Sequence, residues 1–231
     1  NTDNNLIEFY DGGAWRDLQS EDIPPVASEN FNVVLYTGNG STQSITGVGF
    51  QPDFVWIKER SQAESHRLFD STRGATERLF SDNTNAESTA TDSLTSFDSD
   101  GFSLGVSSGV NENSQTYVAW CWKANGGTTS SNTDGTQTST VQVNSQAGFS
   151  IVQYTASAAG SSETVGHGLG TTPAAIILKR TDAVEDWYIW HKELNGGGAG
   201  ALNKYLRFTS AGEATATNLF NTVNSTVFNP S

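Results

Sequence analysis

The chain has 231 residues, of which 35% are hydrophobic and only 16% are charged, and its formal net charge is −13. Because the charge is acidic and no basic stripe is present, we expect neither nucleic acid nor an anionic membrane surface as a partner. No apolar run approaches the roughly 20 residues of a membrane-spanning helix. The polar N-terminus also lacks the features of a signal peptide, so the sequence predicts no membrane insertion.

The chain is polar without being highly charged, and its 23 glycines are spread among aromatic and β-branched residues. This mixture is typical of β-rich, turn-rich proteins and argues against disorder. The single cysteine, Cys121, excludes an internal disulfide and a multi-cysteine zinc site. The sequence contains no methionine, which indicates a larger parent polypeptide or a processed form.

Residues 1–20 are predicted to form a short β-hairpin, with two alternating strands around Asp11, Gly12 and Gly13. An isolated hairpin is marginally stable in water, so we expect it to pack on the following domain or on copies of itself. Proline and acidic residues in SEDIPPVASEN then mark an exposed junction.

Residues 30–124 contain short alternating segments bounded by turn residues, a spacing typical of a β-sandwich or a related all-β domain. Helical periodicity is weak. Only AESHRLFDSTRGATERLF could hold a turn or two of helix, and its spacing fits loops and edge strands equally well. The predicted strand segments are NVVLYT, QSITGVGF, DFVWIK, RLFDS, ERLFS, LTSF, GFSLGV and TYVAWCWK.

Residues 148–231 repeat the pattern of the first block. FNVVLYT begins at Phe31 and recurs as FSIVQYT at Phe149, and PDFVWIK begins at Pro52 and recurs as PAAIILK at Pro173. We therefore predict an all-β chain of two tandem β-sandwich-like domains behind the hairpin. Residues 125–147 connect them, and TSTVQVN in that connection alternates well enough to be a strand.

The second copy stops before any counterpart of SQTYVAWCWK, the strongest strand of the first copy. Either the parent chain continues past Ser231, which we favour, or a neighbouring chain supplies the missing strand by β-addition. An open sheet edge beside the second copy is the structural sign to look for.

GVGFQPDFVWIKER, residues 47–60, has the glycines of a phosphate-binding loop or of a tight turn. A dinucleotide fingerprint requires G-x-G-x-x-G opening a helix. Here Gly49 is followed by Phe50, Gln51 and Pro52 and then by a strand-like run, which favours a structural turn. In the second copy the equivalent of Val48 is His167, so the two corners are not chemically alike.

The histidines and the cysteine give no catalytic pattern. His66, His167 and His191 have no histidine counterparts in the other copy, and no G-x-S-x-G nucleophile elbow is present, although Ser65, His66 and Asp70 lie close in sequence. Cys121 has no matched histidine and is predicted to be a buried small hydrophobe. With 25 acidic residues, the sequence does not single out a carboxylate pair.

Two further segments allow a binding hypothesis. FDSDGF, residues 97–102, resembles part of a calcium loop, but it lacks the later ligands, and a hairpin turn is the favoured interpretation. In VAWCWK, Val118, Trp120 and Trp122 share one face of a strand. These side chains are expected to pack in a core or an interface, or to form a sugar-stacking platform if they are exposed. The unmatched segments 61–67 and 195–200 are the first places to seek a binding loop.

The opening NTDNNLIEFYDGGAWRDL resembles a short hairpin unit widespread in bacteriophage tail-fibre and virion proteins. The residues that carry this resemblance are Asn1, Glu8, Tyr10, Asp11, Gly12 and Trp15. The two long blocks look like the tandem repeats of tail-associated proteins from marine phages, such as those infecting cyanobacteria and abundant marine heterotrophs. The motifs that carry this second resemblance are GNGSTQSITGVGFQPDFVWIK, LTSFDSDGFSLG, TYVAWCWKANGG, VGHGLGTTPAAIILKR, WYIWHKEL and VFNPS.

This resemblance covers nearly the whole chain and implies a virion structural protein: a tail fibre or similar appendage, commonly a homotrimer, that contributes to host-surface attachment. The implied partners are other virion proteins and a host-surface glycan or protein. The implied location is the particle surface, and no catalytic residue, metal or cofactor is implied. Alternatives are a capsid decoration protein or head fibre, a polysaccharide-degrading tailspike, and a carbohydrate-binding module.

Overall fold

The computed structural model describes residues 8–10, 15–17, 27–157, 162–216 and 218–230. Within these ranges the protein is all-β and sandwich-like, which confirms the fold class predicted from the sequence. Strands β1 (Glu8–Tyr10) and β2 (Trp15–Asp17) pair antiparallel. The turn predicted at Asp11, Gly12 and Gly13 lies outside the described residues.

The first repeat is a sandwich of two antiparallel sheets. The larger sheet has the order β3-β11-β5-β6-β7-β8, and the smaller sheet has the order β4-β10-β9. The elements are β3 (Phe31–Thr37), β4 (Gln43–Ile45), β5 (Phe54–Glu59), β6 (Arg67–Asp70), β7 (Gly74–Leu79), β8 (Ser88–Thr89), β9 (Leu94–Asp98), β10 (Gly101–Leu104), the short helix α1 (Ser108–Asn111) and β11 (Thr116–Trp122).

The sequence allowed a turn or two of helix in one segment. In the structure that segment, AESHRLFDSTRGATERLF, forms β6 and β7 instead. Both strands lie in the larger sheet, where β6 pairs with β5 and with β7. Cross-strand pairing and burial of the whole of β6 outweigh its weak helical periodicity.

Strand β11 shows why the first repeat folds as it does. Its side chains alternate between the core and the outer face, so Tyr117, Ala119 and Cys121 are fully buried while Trp120 and Trp122 are only half-buried. β11 pairs with β3 on one edge and with β5 on the other. One strand therefore joins two others and supplies three core side chains.

The second repeat follows the same order with one strand fewer. Its smaller sheet, β15-β21-β20, matches β4-β10-β9, and its β16-β17 pair matches β5-β6. The elements from the connection onward are β12 (Ser130–Asn132), β13 (Ser139–Asn144), β14 (Phe149–Tyr154), β15 (Val165–Gly166), β16 (Ala175–Lys179), β17 (Trp187–His191), β18 (Lys204–Tyr205), β19 (Ala214–Thr215), β20 (Leu219–Val223) and β21 (Val227–Pro230).

The connection between the repeats is built into the second repeat. β12 and β13 form a three-stranded sheet with β14, and the TSTVQVN segment supplies β13. Gln142, on β13, is fully buried and donates to the hydroxyls of Ser71 and Thr72 in the first repeat. These contacts fix the position of β13 against the first repeat.

The two repeats also pack directly on each other. The Glu87 amide donates to the Thr181 carbonyl, and the Glu185 amide donates to the Thr84 carbonyl. The indole of Trp187 is buried against Leu68 and Leu79 of the first repeat. This shared apolar cluster joins the two sandwiches.

Candidate functional site

The Gly47 to Gly49 corner binds an anion that the chain itself supplies. The Gly47 and Gly49 amides donate to the two carboxylate oxygens of Asp100, at 3.0 and 2.6 Å. These two hydrogen bonds lower the pKa of Asp100 below its ordinary value of 3.8. Both glycines have positive φ, which this turn requires and which other residues rarely adopt. The corner is a turn leading into β5, as predicted.

In the second repeat the equivalent corner, Gly166 to Gly168, is stabilised by different hydrogen bonds. His167 is buried, its Nδ1 accepts from the Leu169 amide, and its Nε2 lies 3.1 Å from the Asn224 carbonyl oxygen. An imidazole that accepts at Nδ1 carries its proton on Nε2, so Nε2 donates to Asn224. His167 is therefore a structural histidine that accepts from the residue after the second glycine of its corner, whereas Asp100 accepts from both glycines of the first corner.

The FDSDGF segment forms the turn between β9 and β10. Asp98 accepts hydrogen bonds from the hydroxyls of Ser96 and Ser103, and Asp100 is held by the corner amides. Both carboxylates are thus satisfied by groups of the protein. Over the described residues, no cluster of three or more His, Cys, Asp or Glu side chains is placed to hold a metal ion.

The remaining histidines and the cysteine lie apart. His66 accepts a 2.8 Å hydrogen bond at Nδ1 from the indole of Trp56, and His191 is exposed at the end of β17. Cys121 is buried in the first core, and burial raises the pKa of its thiol to about 12. Ser65 contributes its carbonyl to Arg67. The structure brings no two of these side chains together as a nucleophile and base.

On the outward side of the larger sheet in the first repeat, apolar and aromatic side chains line up across β3, β11 and β5. We call this surface the outer aromatic face. Its cross-strand rows are Phe31, Trp122 and Phe54; Val33, Trp120 and Trp56; and Leu35, Val118 and Lys58.

Contacts between the rings give this face a fixed shape. The ring of Phe31 lies 4.9 Å from that of Trp122, and Trp122 lies 5.4 Å from Phe54. Trp56 and Trp120 meet edge to face at 6.2 Å. Aromatic pairs at these separations add to the free energy gained by burial, so the face is pre-organised.

The second repeat covers only part of the outer aromatic face. Phe208 packs on Trp56 and Phe149 packs on Trp122, both from the second repeat. At the opposite side, along β3, the apolar side chains stay open. Their exposed fractions are 38% for Phe31, 40% for Val33 and 64% for Leu35.

The two unmatched segments differ in character. Residues 61–67 lead from β5 into the first residue of β6 and hold His66 against Trp56. Residues 195–200 form tight turns, in which Asn195 has a positive φ and its side chain donates to the Gly200 carbonyl. In the first segment Arg67 also forms an ion pair with Glu64 at 3.2 Å, so its charged side chains are paired within the segment.

A small cavity of about 160 Å³ opens beside the smaller sheet of the first repeat. Its lining is polar and neutral apart from one leucine, so it holds no carboxylate for glycoside hydrolysis. The lining residues are Thr42, Gln43, Ser44, Thr95, Ser103 and Leu104. No helix among the described residues is long and apolar enough to cross a membrane.

Comparison with known proteins identifies a family whose function is not known. The model of a domain of unknown function, DUF7483, matches residues 26–229, which include both repeats and their connection. The chain belongs to the DUF7483 family. No curated protein and no solved structure matches this DUF7483 chain.

In this DUF7483 protein the exposed part of the outer aromatic face includes residues that the sequence reasoning did not single out. The alternation of VAWCWK points to Trp120 and Trp122, whereas Val33 and Leu35 on β3 are more exposed. The pattern was visible, because FNVVLYT carries apolar residues on both faces of one strand. A strand buried on one side only would show polar residues at alternate positions.

Proposed function

We propose that this protein is a structural component of a bacteriophage particle, a tail fibre or similar appendage that contributes to host-surface attachment. The sequence resemblance supplies the phage context. The observation that supports an assembly role is the open part of the outer aromatic face, with Phe31, Val33 and Leu35 side by side on β3. Adjacent exposed apolar side chains of this size favour a protein interface.

In this proposal the open part of the face packs against equivalent faces of two further copies, as in a homotrimeric fibre. Burying Leu35, Val33 and Phe31 removes apolar surface from water at roughly 25 cal/mol per Å². The ordered rings beneath them lower the entropic cost of association.

The experiment measures the molar mass of the full chain by light scattering after size exclusion. The wild type is expected to be a trimer, and Val33→Asp with Leu35→Asp is expected to give a monomer, because each carboxylate would be desolvated in the interface. Val184→Asp is the matched control, since Val184 is 70% exposed and is not part of the rows that make up this face. A monomeric wild type would contradict the assembly role.

A second candidate function has its own observation. Trp120 and Trp122 are only half-buried on the outer aromatic face, and indole rings stack on the apolar faces of sugars. A carbohydrate-binding module predicts glycan binding by a monomer that Trp120→Ala abolishes. The assembly role predicts that Trp120→Ala weakens the oligomer instead.

The position on the particle separates the remaining alternatives. Antibody labelling of phage particles in the electron microscope is expected to mark the tail appendage. Labelling over the capsid would favour a decoration protein or a head fibre. Release of reducing sugar from a host polysaccharide by the purified chain would favour a tailspike.

A further inference from the structure

The second repeat leaves the position of one strand open in its larger sheet. In the first repeat β11 pairs with both β3 and β5, whereas β14, the counterpart of β3, pairs with β13 and β16, the counterpart of β5, pairs with β17. No strand of the described residues lies between β14 and β16. The open sheet edge anticipated from the sequence is therefore present at β16.

The hydrogen bonds of β16 show which of its backbone groups pair with β17 and which face the other edge. The Lys192 amide donates to the Ala174 carbonyl at 2.9 Å, next to the β16 and β17 pairing. Alternate residues of a strand direct their N–H and C=O groups to opposite edges. The even-numbered residues of β16 thus bond to β17, and Ala175, Ile177 and Lys179 present their backbone groups to the open edge.

The burial of the side chains on β5 and β16 also differs at this edge of the sheet. Val55 and Ile57 of β5 are 0% and 1% exposed, because β11 covers them. Their counterparts on β16, Ile176 and Leu178, also point to the core but are only half-buried. Ile177, between them on the outward face, is 53% exposed.

The first repeat indicates the chemistry of a segment that fits this edge. β11 places Tyr117, Ala119 and Cys121 on the core side, and the ring of Tyr117 stacks on Tyr36 at 5.0 Å. The counterpart of Tyr36 is Tyr154 on β14, which is packed against the second core. The open edge of β16 therefore fits a segment that has small apolar residues on its inward side and one aromatic ring beside Tyr154.

We propose that the open edge of β16 is a strand-acceptor site, filled by an extended segment of a partner polypeptide that has the alternation of residues 116–122 and runs antiparallel to β16. The strand β11 of a second copy is not the donor, because it is already paired on both edges. The site does not depend on the proposed virion role.

The probe is a synthetic peptide of residues 114–123, SQTYVAWCWK, with Cys121→Ala to prevent oxidation. Binding to the full chain is measured by fluorescence anisotropy of a labelled peptide. A scrambled peptide of the same composition, in which aromatic and small residues no longer alternate, is the control. Saturable binding of the native order only is expected, and equal binding of both peptides would overturn the proposal.

Ile177→Pro tests the edge itself. Proline removes only the Ile177 N–H, which faces the open edge, and an edge strand tolerates proline at such a position. We expect the peptide affinity to fall by about tenfold or more, the effect of one lost backbone hydrogen bond and a steric block. Ile177→Thr keeps the N–H and should bind nearly as wild type. Binding unaffected by Ile177→Pro would place the peptide elsewhere and overturn the proposal.

Hydrogen exchange gives a test without any variant. In the free protein the amides of Ile177 and Lys179 should exchange quickly while those of Ile176 and Leu178 are protected by β17. The peptide should then protect Ile177 and Lys179 selectively. Protection of both amides without peptide, in a monomer or in a dimer, would assign the edge to another segment of this chain or to a second copy and would overturn the proposal.

Discussion

The Gly49 amide donates a 2.6 Å hydrogen bond to Asp100, so the two-glycine corner of the first repeat holds a carboxylate of its own chain. A phosphate could not enter without displacing that side chain. In the second repeat the imidazole of His167, at the position of Val48, accepts from the Leu169 amide. The two corners therefore differ in conformation as well as in chemistry, because Gly47 and Gly49 both have positive φ whereas in the second repeat only Gly168 of the pair Gly166 and Gly168 does.

Asp100 should make the first repeat sensitive to acid. The Gly47 and Gly49 hydrogen bonds lower the pKa of Asp100 below 3.8, the value expected in the unfolded chain. The stability it contributes is therefore present above about pH 3.8 and is lost as the pH falls through the folded pKa. An NMR titration of the Gly47 and Gly49 amide shifts should follow this protonation.

Asp100→Asn is the matched variant for that titration. An amide oxygen can still accept one of the two hydrogen bonds but does not titrate, so the acid-dependent shift of the Gly47 and Gly49 amides should disappear. The amide of Gly148, in a turn without a carboxylate partner, serves as the internal control. Unchanged titration of the corner amides in Asp100→Asn would show that another group causes it.

Cys121 should be unreactive in the folded protein. Its side chain is fully buried on the core side of β11, and burial raises the pKa of the thiol to about 12. Because the thiolate is the reactive form, a disulfide reagent at neutral pH should modify Cys121 only when the first repeat opens. The modification rate should rise with denaturant in parallel with unfolding followed by tryptophan fluorescence.

A control for this measurement is a cysteine at an exposed site. Val184→Cys in a Cys121→Ala background places a thiol at a position that is 70% exposed. It should react completely without denaturant. Fast modification of wild-type Cys121 under the same conditions would mean that β11 leaves the sheet readily.

Much of the fold could be predicted from the sequence because it rests on local patterns. VAWCWK alternates strictly, and the structure places Cys121 inward and Trp120 outward as that alternation requires. The duplicated motifs also predicted equivalent strands, since both copies share their spacing. Such features need only neighbouring residues in one chain.

The outer aromatic face and the loop anchors could not be predicted because they depend on residues that are distant in sequence. Whether Trp56 is exposed depends on Phe208, which belongs to the other repeat. Asp53 precedes β5 but accepts hydrogen bonds from residues that follow β11. Neither relationship leaves a periodic pattern in the sequence.

His66 should give the first repeat a second pH dependence, near neutrality. Burial, the largest cause, lowers the pKa of His66 below 6.5, the value expected in the unfolded chain, and Nδ1 accepts from the Trp56 indole. The unfolded chain then takes up a proton at a higher pH than the folded chain. The stability from neutral His66 is complete above pH 6.5 and is lost as the pH falls through 6.5 toward the folded pKa.

Denaturant unfolding at several pH values, followed by tryptophan fluorescence, measures this effect. The midpoint should decrease on acidification from about pH 7.5 to about pH 5, where histidine changes charge. His66→Gln removes the titrating group while keeping an acceptor for Trp56, so its midpoint should vary less over this range. An identical pH profile in His66→Gln would assign the dependence to other groups.

Removal of the buried Asp53 carboxylate should destabilise the first repeat. It is fully buried, and its oxygens accept from the amides of Ala124, Gly126 and Gly127, at 2.7, 2.9 and 2.6 Å. Asp53→Ala would leave three amide donors without this acceptor, so the free energy of unfolding should fall by about 3 kcal/mol. Denaturant titration of the full chain measures the loss.

Asp53→Asn and Asp182→Ala complete the test of Asp53. The first keeps one acceptor oxygen and should lose less stability than Asp53→Ala, while Asp182 is exposed and its removal should change little. If Asp53→Ala unfolds with wild-type stability, the segment after β11 is held by other contacts. The counterpart of Asp53 is Ala174, whose side chain has no acceptor, as expected where no described strand requires anchoring beside β16.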